Sequence, residues 1–331
     1  MQALSDIGSV IKNPEMADIS SKLISALRDP EKNLLSAVNL LLEQSFAHAI
    51  DTPSLSLIIP LIDFALRAHD NQIKKKACLL VGNICQVVLH SNDLLPYLPI
   101  VIPALKSALF DPIPQVRAAA AKALGALCKG LGMTNSQNIL KWLKELLQTD
   151  CTHTERSGAA RGYAEIIAAF GEQFFNTQLP HIIEFTTNKA PYVRDGYTTL
   201  FVFLPMTFTD YFEKYFNFVL PVILEGLSDS SDQVRGTAKR VVQMCIRQYG
   251  KTKTDVLLSP LLDMIYAVKW RIRESALTLL GELLKLLEQD IVKSTPRYFS
   301  IEEKQDVLSA LFILRYDGIE HISLLASQVL L

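Results

Sequence analysis

The sequence predicts an all-α protein, an α-solenoid of about eight antiparallel helix pairs, and three observations predict it. Ala37, Ala77, Ala120, Ala159, Tyr197, Ala238 and Ala276 recur at intervals of 38 to 43 residues, a period that only repeat architectures produce. Apolar residues return every third or fourth position and never alternate, so each unit reads as helix followed by helix. Proline recurs ahead of five of the seven landmarks, at Pro60, Pro103, Pro180, Pro221 and Pro260, and a short Asp or Asn turn follows several of them.

The elements follow in order. A first pair is expected at 15–44, split by Asp29, and a second at 54–89, with Pro60 in its first helix and Lys74 opening its second. The third, 92–131, shows the pattern most fully. LLPYLPIVIPALKSALF is broken by Asp111-Pro112 before VRAAAAKALGALCKGLG, where a short carboxylate is expected to cap the N–H groups of the next helix. The fourth, 135–171, has Lys141 near the proline position. Pairs at 176–208, 211–249, 253–287 and 301–331 complete the series, with Asn188 and Asp229 at equivalent turns. Proline inside each first helix removes a backbone donor and is expected to bend it. Gly82, Gly125 and Gly281, eight residues after the landmark basic residue, are expected where neighbouring helices approach closely.

A lone helix pair cannot bury its apolar face, so residues 1–331 are expected to form one array rather than separate domains. Its weakest joint is expected at 288–300, EQDIVKSTPRYFS. Residues 3–11 read as a second helix without its first, and SLLASQVLL carries no polar cap; a fragment of a longer solenoid is expected.

Composition narrows the function. Lys and Arg number 33 against 34 Asp and Glu, and 49% of residues are hydrophobic, which fits a folded chain and excludes a supercharged tail. Five scattered cysteines with no Cys-x-x-Cys give neither a disulfide framework nor a zinc site. No apolar run approaches the roughly 20 residues of a membrane span, and the opening lacks a basic leader, so a protein of the cytosol or nucleus with no membrane partner is expected.

Catalytic groupings are thin. Gly125-Ala-Leu-Cys-Lys-Gly130 has phosphate-loop spacing but lacks the following Lys-Ser/Thr, without which nothing holds phosphate and magnesium. His181 and Glu184 share a helical face, with no second such pair to complete a metal site. No enzyme, cofactor, metal or small-molecule substrate is expected, because nucleophile, base and oxyanion donor do not converge.

Two sets of charged residues stand out. Arg117, Arg156, Arg194 and Arg273 align with Lys74 and Arg235 as a ladder, read as structural: a guanidinium beside a neighbouring turn's Asp or Asn sets the stacking between repeats. Nine Lys and Arg against five Asp and Glu lie between Asp229 and Glu274. There Arg235, Lys239, Arg240, Arg247, Lys251, Lys253, Lys269 and Arg271 are expected to form a basic strip for ribosomal RNA phosphates or an acidic protein. Lys74, Lys75 and Lys76 make a second, smaller cluster.

The pair with proline in its first helix, Asp or Asn at the turn and Val-Arg opening its second resembles the HEAT repeat. DPIPQVRAAAAKALGALCKGLG, ERSGAARGYAEIIAAFG, YVRDGYTTLFVFLPMTF and DQVRGTAKRVVQ with KWRIRESALTLLGELL resemble the large translational activator of the general-control pathway, and the middle of that family is similar to the HEAT region of elongation factor three. The resemblance runs from about Ala3 to Arg315. It implies a cytoplasmic scaffold whose partners are the ribosome and the proteins of the amino-acid-starvation response. It also implies sensing of stalled ribosomes and promotion of the kinase that phosphorylates initiation factor two alpha, with the kinase-binding segment outside this chain. The alternative is a karyopherin-type nuclear transport receptor, which wraps cargo with the same repeats; rows of tryptophan, found in some karyopherins, are absent, with only Trp142 and Trp270 present.

Overall fold

A computed structural model of the protein describes residues 10–88, 91–291 and 300–330. The weak joint expected at 288–300 and the opening helix expected at 3–11 fall largely outside them. The chain divides into two compact units, Met1–Gln178 and Leu179–Leu331.

The first unit contains α1 (Pro14–Arg28), α2 (Pro30–Glu43), α3 (Thr52–Arg67), α4 (Asn71–Val87), α5 (Leu98–Leu109), α6 (Pro114–Leu147), α7 (His153–Phe170) and the start of α8 (Glu172–Thr186). Proline opens α1, α2 and α6, where its missing N–H costs nothing and its fixed φ suits the first turn. Helices pack within each pair and also with their like in the next. Thus α1 meets α2 and α3, α3 meets α5, α2 meets α4, and α4 meets α6. That nearest-neighbour pattern makes two layers, which is the solenoid arrangement.

Helix α6 is two helices in one run. Gly132 breaks it with φ 77° and ψ 169°, a left-handed backbone that glycine adopts without steric cost, so the boundary expected between 131 and 135 sits there. Gly125 serves closeness instead: a Cβ added to it would lie 2.9 Å from the carbonyl oxygen of Glu165 on α7. Gly281 is similarly tight, 2.8 Å from a Val329 methyl. At Gly82 the nearest atom is the Ala126 Cβ at 4.0 Å, so close packing does not require glycine there.

The second unit contains the remainder of α8, then α9 (Pro191–Thr207), α10 (Thr209–Glu225), α11 (Asp232–Tyr249), α12 (Thr254–Ile265), α13 (Trp270–Ile291), α14 (Ile301–Leu314) and α15 (Glu320–Leu330). Here α9 meets α11, α11 meets α13, α13 meets α15, and α12 meets α14. Helix α11 shows why. Val234, Ala238, Val241, Val242, Cys245 and Ile246 are buried along one side, each large aliphatic worth roughly 1.5–3 kcal/mol, while Arg240 and Arg247, seven residues apart, are exposed on the other. All five recurring prolines lie inside helices: Pro60 in α3, Pro103 in α5, Pro180 in α8, Pro221 in α10 and Pro260 in α12.

The Asp and Asn side chains of the turns act differently from the caps expected of them. Asp111, Asn188 and Asp229 each accept from the backbone N–H two residues on, in Ile113, Ala190 and Ser231, at 2.7–2.9 Å, and Asp317 does the same with Ile319. The side chain folds the turn before the helix starts, an Asx turn. Asp29 makes no cap bond and pairs with Lys32 at 3.3 Å. Helix caps come from Asn13, Asp51, Asp70, Thr152 and Ser300.

Candidate partner-binding surface

Ladder arginines are held by their own turns. Arg117 Nη1 donates to the carbonyls of Asp111 and Pro112 at 2.8 and 2.9 Å. Arg194 does so to Asn188 and Lys189, Arg235 to Asp229 and Ser230, and Arg273 to Ala267 and Val268. Arg156 donates to Cys151 O at 2.9 Å. One Nη1 donates to both successive carbonyls, which leaves Nε and Nη2 of the same planar group free to meet a carboxylate side-on.

Three rungs also reach forward to the next repeat. Lys74 Nζ meets Asp111 at 2.7 Å. Arg194 grips Asp229 through Nε and Nη2, both at 2.7 Å, and Arg273 grips Asp317 at 2.7 and 3.0 Å. These pairs are bidentate where the residue is arginine, and little of either side chain meets water. Burial alone would raise the Asp229 pKa, yet the Arg194 guanidinium and the Ser231 N–H leave it lowered overall. For Asp317 the hydrogen bonds from Arg273 dominate and lower it.

The basic residues of the second unit are spread along α11. Arg235 sits at its N-terminal end and lines one cleft with Lys269, on the turn between α12 and α13, and Arg271, in the first turn of α13. Lys239 is half-buried on its flank, Arg240 and Arg247 lie on its exposed side, and Lys251 and Lys253 follow its C-terminus. At 1.5 Å per residue, Arg235 and Lys251 are about 24 Å apart along the axis. Lys253 pairs with Glu213 at 3.5 Å. In the first unit Lys74 and Lys76 are committed to the stack, Lys76 through Asn39 at 2.7 Å, while Lys75 is exposed.

Three features escaped sequence reasoning. Asp195, next to a ladder arginine, is buried on α9 and accepts from Gln233 and Thr237 of α11 at 2.8 and 2.6 Å; the sequence carries no distinguishing signal for it, since Glu274 is a carboxylate at the equivalent position of another repeat. Trp270 and Val268 are exposed at a turn, and Arg271 lies 4.8 Å over the Trp270 ring. A surface cleft of about 310 Å³ opens beside them.

Burial pushes the thiols of Cys78, Cys85, Cys128 and Cys245 up to about 12, so they are protonated at neutral pH. His181 stacks on Phe185 with centroids 4.4 Å apart. Among the described residues, no three His, Cys, Asp or Glu side chains gather to hold a metal, and no helix is long and apolar enough to cross a membrane.

Comparison with known proteins agrees with this geometry. The family described as "Elongation factor 3/GNC1 HEAT repeat" matches residues 32–138, and "EF3 N-terminal HEAT repeat" matches residues 156–298. Protein ILITYHIA of Arabidopsis thaliana is 38% identical over 95% of this chain and 12% of its own length. "Stalled ribosome sensor GCN1" of Homo sapiens is 42% identical over 86% of this chain and 11% of its own. "eIF-2-alpha kinase activator GCN1" of Saccharomyces cerevisiae is 36% identical over the same shares. The chain thus spans about a ninth of the length of these relatives. Paired helices, the arginine rungs and these matches together identify a HEAT-repeat chain that resembles GCN1 over most of its length and the HEAT region of elongation factor 3 over part of it.

Proposed function

We propose that the chain is a noncatalytic scaffold within a ribosome-associated, cytoplasmic translational activator, and that it contributes to the sensing of stalled ribosomes and to activation of the initiation-factor-two-alpha kinase. The carrying observation is 42% identity over 86% of the chain to a protein named as a stalled-ribosome sensor, together with 36% identity to one named as an activator of that kinase. The residue chemistry suits contact rather than catalysis: burial holds four of the five thiols protonated, and the ladder arginines are spent on turns and neighbouring repeats.

In this reading the exposed cations of the second unit, Arg240 and Arg247 on α11 with Lys239, Lys251 and Lys253, meet ribosomal RNA phosphates. Ribosome cosedimentation across a salt series tests it. Each phosphate contact adds about 0.7–0.9 to the slope of log affinity against log salt. Charge reversal at Lys239, Arg240, Lys251 and Lys253 is therefore expected to weaken binding and flatten that slope by up to about 3. Cosedimentation that does not change on reversal would remove these residues from the ribosome contact.

A further inference from the structure

The forward rungs of the second unit have a gap. The ladder arginine's own turn begins six residues before it, at Asn188, Asp229 and Ala267 for Arg194, Arg235 and Arg273, and each arginine donates to that residue's carbonyl. Arg194 then reaches Asp229 on the following turn, and Arg273 reaches Asp317 on the next after its own. For Arg235 the corresponding residue on the following turn is Ala267, which has no carboxylate to offer. Its Nη2 pairs instead with Asp232 on its own helix, a carboxylate whose side chain is 94% exposed, and exposed pairs of that kind contribute about 0–1 kcal/mol. The Nε that holds the next turn's carboxylate in Arg194 and Arg273 is left without one.

Where the rung is missing, the surface opens. The cleft of about 310 Å³ is lined by Arg235, Val268, Lys269, Trp270 and Arg271, with Asp229 beside them. Asp229 is already neutralised by Arg194 and Arg235 pairs with the exposed Asp232, so Lys269 and Arg271 leave the cleft with a net positive charge. Val268 is 97% exposed and Trp270 39% exposed, an apolar rim directly beside the three cations. Tryptophan and arginine at one spot are the residue types that carry most binding energy in protein interfaces.

We propose that this cleft docks a segment of a partner protein in which an Asp or Glu stands next to an apolar side chain. The carboxylate takes the place that the residue at 267 leaves vacant, meeting Arg235 Nε with Lys269 and Arg271 around it, and the apolar neighbour covers Val268 and Trp270. RNA phosphate would satisfy the cations but not the exposed valine, so the peptide is the better fit. The cleft shares none of its lining residues with the ribosome contact proposed above, whose Lys251 and Lys253 follow the other end of α11.

The full chain is titrated by fluorescence anisotropy against a labelled set of short peptides, each with Asp or Glu one or two positions from Leu, Phe or Trp. Asn and Gln counterparts and a ten-nucleotide oligouridine serve as comparisons. Acidic members are expected to bind at least about 10-fold tighter than their amide counterparts, a difference of about 1.4 kcal/mol. Ala267→Asp supplies the missing carboxylate from within and is expected to weaken that binding by a similar factor while holding or raising the melting temperature. Lys269→Glu and Trp270→Ala, at exposed positions, are expected to weaken it too, and Lys251→Glu with Lys253→Glu is expected to leave it within twofold. The proposal is overturned if no acidic peptide is preferred to its amide form. Acidic binding that is indifferent to Lys269→Glu and Trp270→Ala, or to a folded Ala267→Asp, overturns it as well. Tighter binding of oligouridine with the same sensitivity to these variants would make the cleft an RNA site instead.

Discussion

Arg194 and Asp229 offer a direct measure of what a forward rung contributes. Their two nitrogen–oxygen contacts are both 2.7 Å, and the side chains are 13% and 12% exposed. Arg67 and Asp63 lie at nearly the same distance, 2.8 Å, but are 64% and 26% exposed. Distance is thus held nearly constant while burial and the number of bonds change. A hydrogen bond to a charged group contributes about 1.5–3 kcal/mol when water is largely excluded, and an exposed helix pair about 0.3–0.5 kcal/mol. A double-mutant cycle with Arg194→Ala and Asp229→Ala, read by urea unfolding at pH 7, is therefore expected to give a coupling energy of about 2 kcal/mol or more. The loss of Arg194's bonds to Asn188 and Lys189 occurs in both arms of the cycle and cancels. The same cycle on Arg67 and Asp63 is expected to stay below about 0.5 kcal/mol. Equal coupling energies for the two pairs would refute the claim that the forward rung tightens the stack.

Glycine substitutions separate closeness from propensity. Gly125→Ala drives a methyl to 2.9 Å from the Glu165 carbonyl oxygen and is expected to cost about 1–3 kcal/mol in thermal or urea unfolding, whereas Gly82→Ala meets only ordinary contact and is expected to gain up to about 1 kcal/mol from helix propensity; a reversed order would show the helix spacing to be wrong. Acid titration tests the carboxylates of the rungs. Asp229 and Asp317 have pKa values lowered in the fold, so the stability they add is fully present above the ordinary aspartate pKa and is lost as pH falls through their folded values. Asp317→Asn is expected to flatten the acid limb of stability against pH, and an unchanged limb would remove the rung from that dependence. A single array over 1–331 is expected to melt in one calorimetric transition whose calorimetric and van't Hoff enthalpies agree; two separate transitions would divide the chain near residue 178.

The helix pairs were legible because their cause is local. In most repeats a small residue sits where helices meet, a proline lies in the first helix and an Asp or Asn folds the turn, so each leaves a mark at a nearly fixed distance from the next. The direction of a side chain across repeats is not local. Nothing in Asp111 by itself reveals that its oxygens serve both the Ile113 N–H and the Lys74 ammonium, because the second partner depends on how one pair is seated on another. For the same reason Lys74 and Lys76 read as a surface cluster although both are bonded into the stack. Asp195 passed unremarked because a charged residue inside a helix reads as solvated until a donor pair such as Gln233 and Thr237 is brought over it. Ala267 was the subtler omission: an absence becomes visible only after the rung rule is known, and that rule came from the geometry.

Because Arg194 and Arg273 each close their own bend and then reach for the acidic residue that follows, those pairs are matched to their successors as well as to themselves. The pair carrying Ala267 is a poor successor to any arginine that needs a carboxylate, wherever it is placed. Transplanting it behind Arg194 in place of the pair bearing Asp229 would break a joint that was sound, even though both pairs keep their hydrophobic faces. Order along this chain is therefore written partly in single acidic residues at the bends, and engineered shuffling of its modules has to respect that script or supply the missing oxygen.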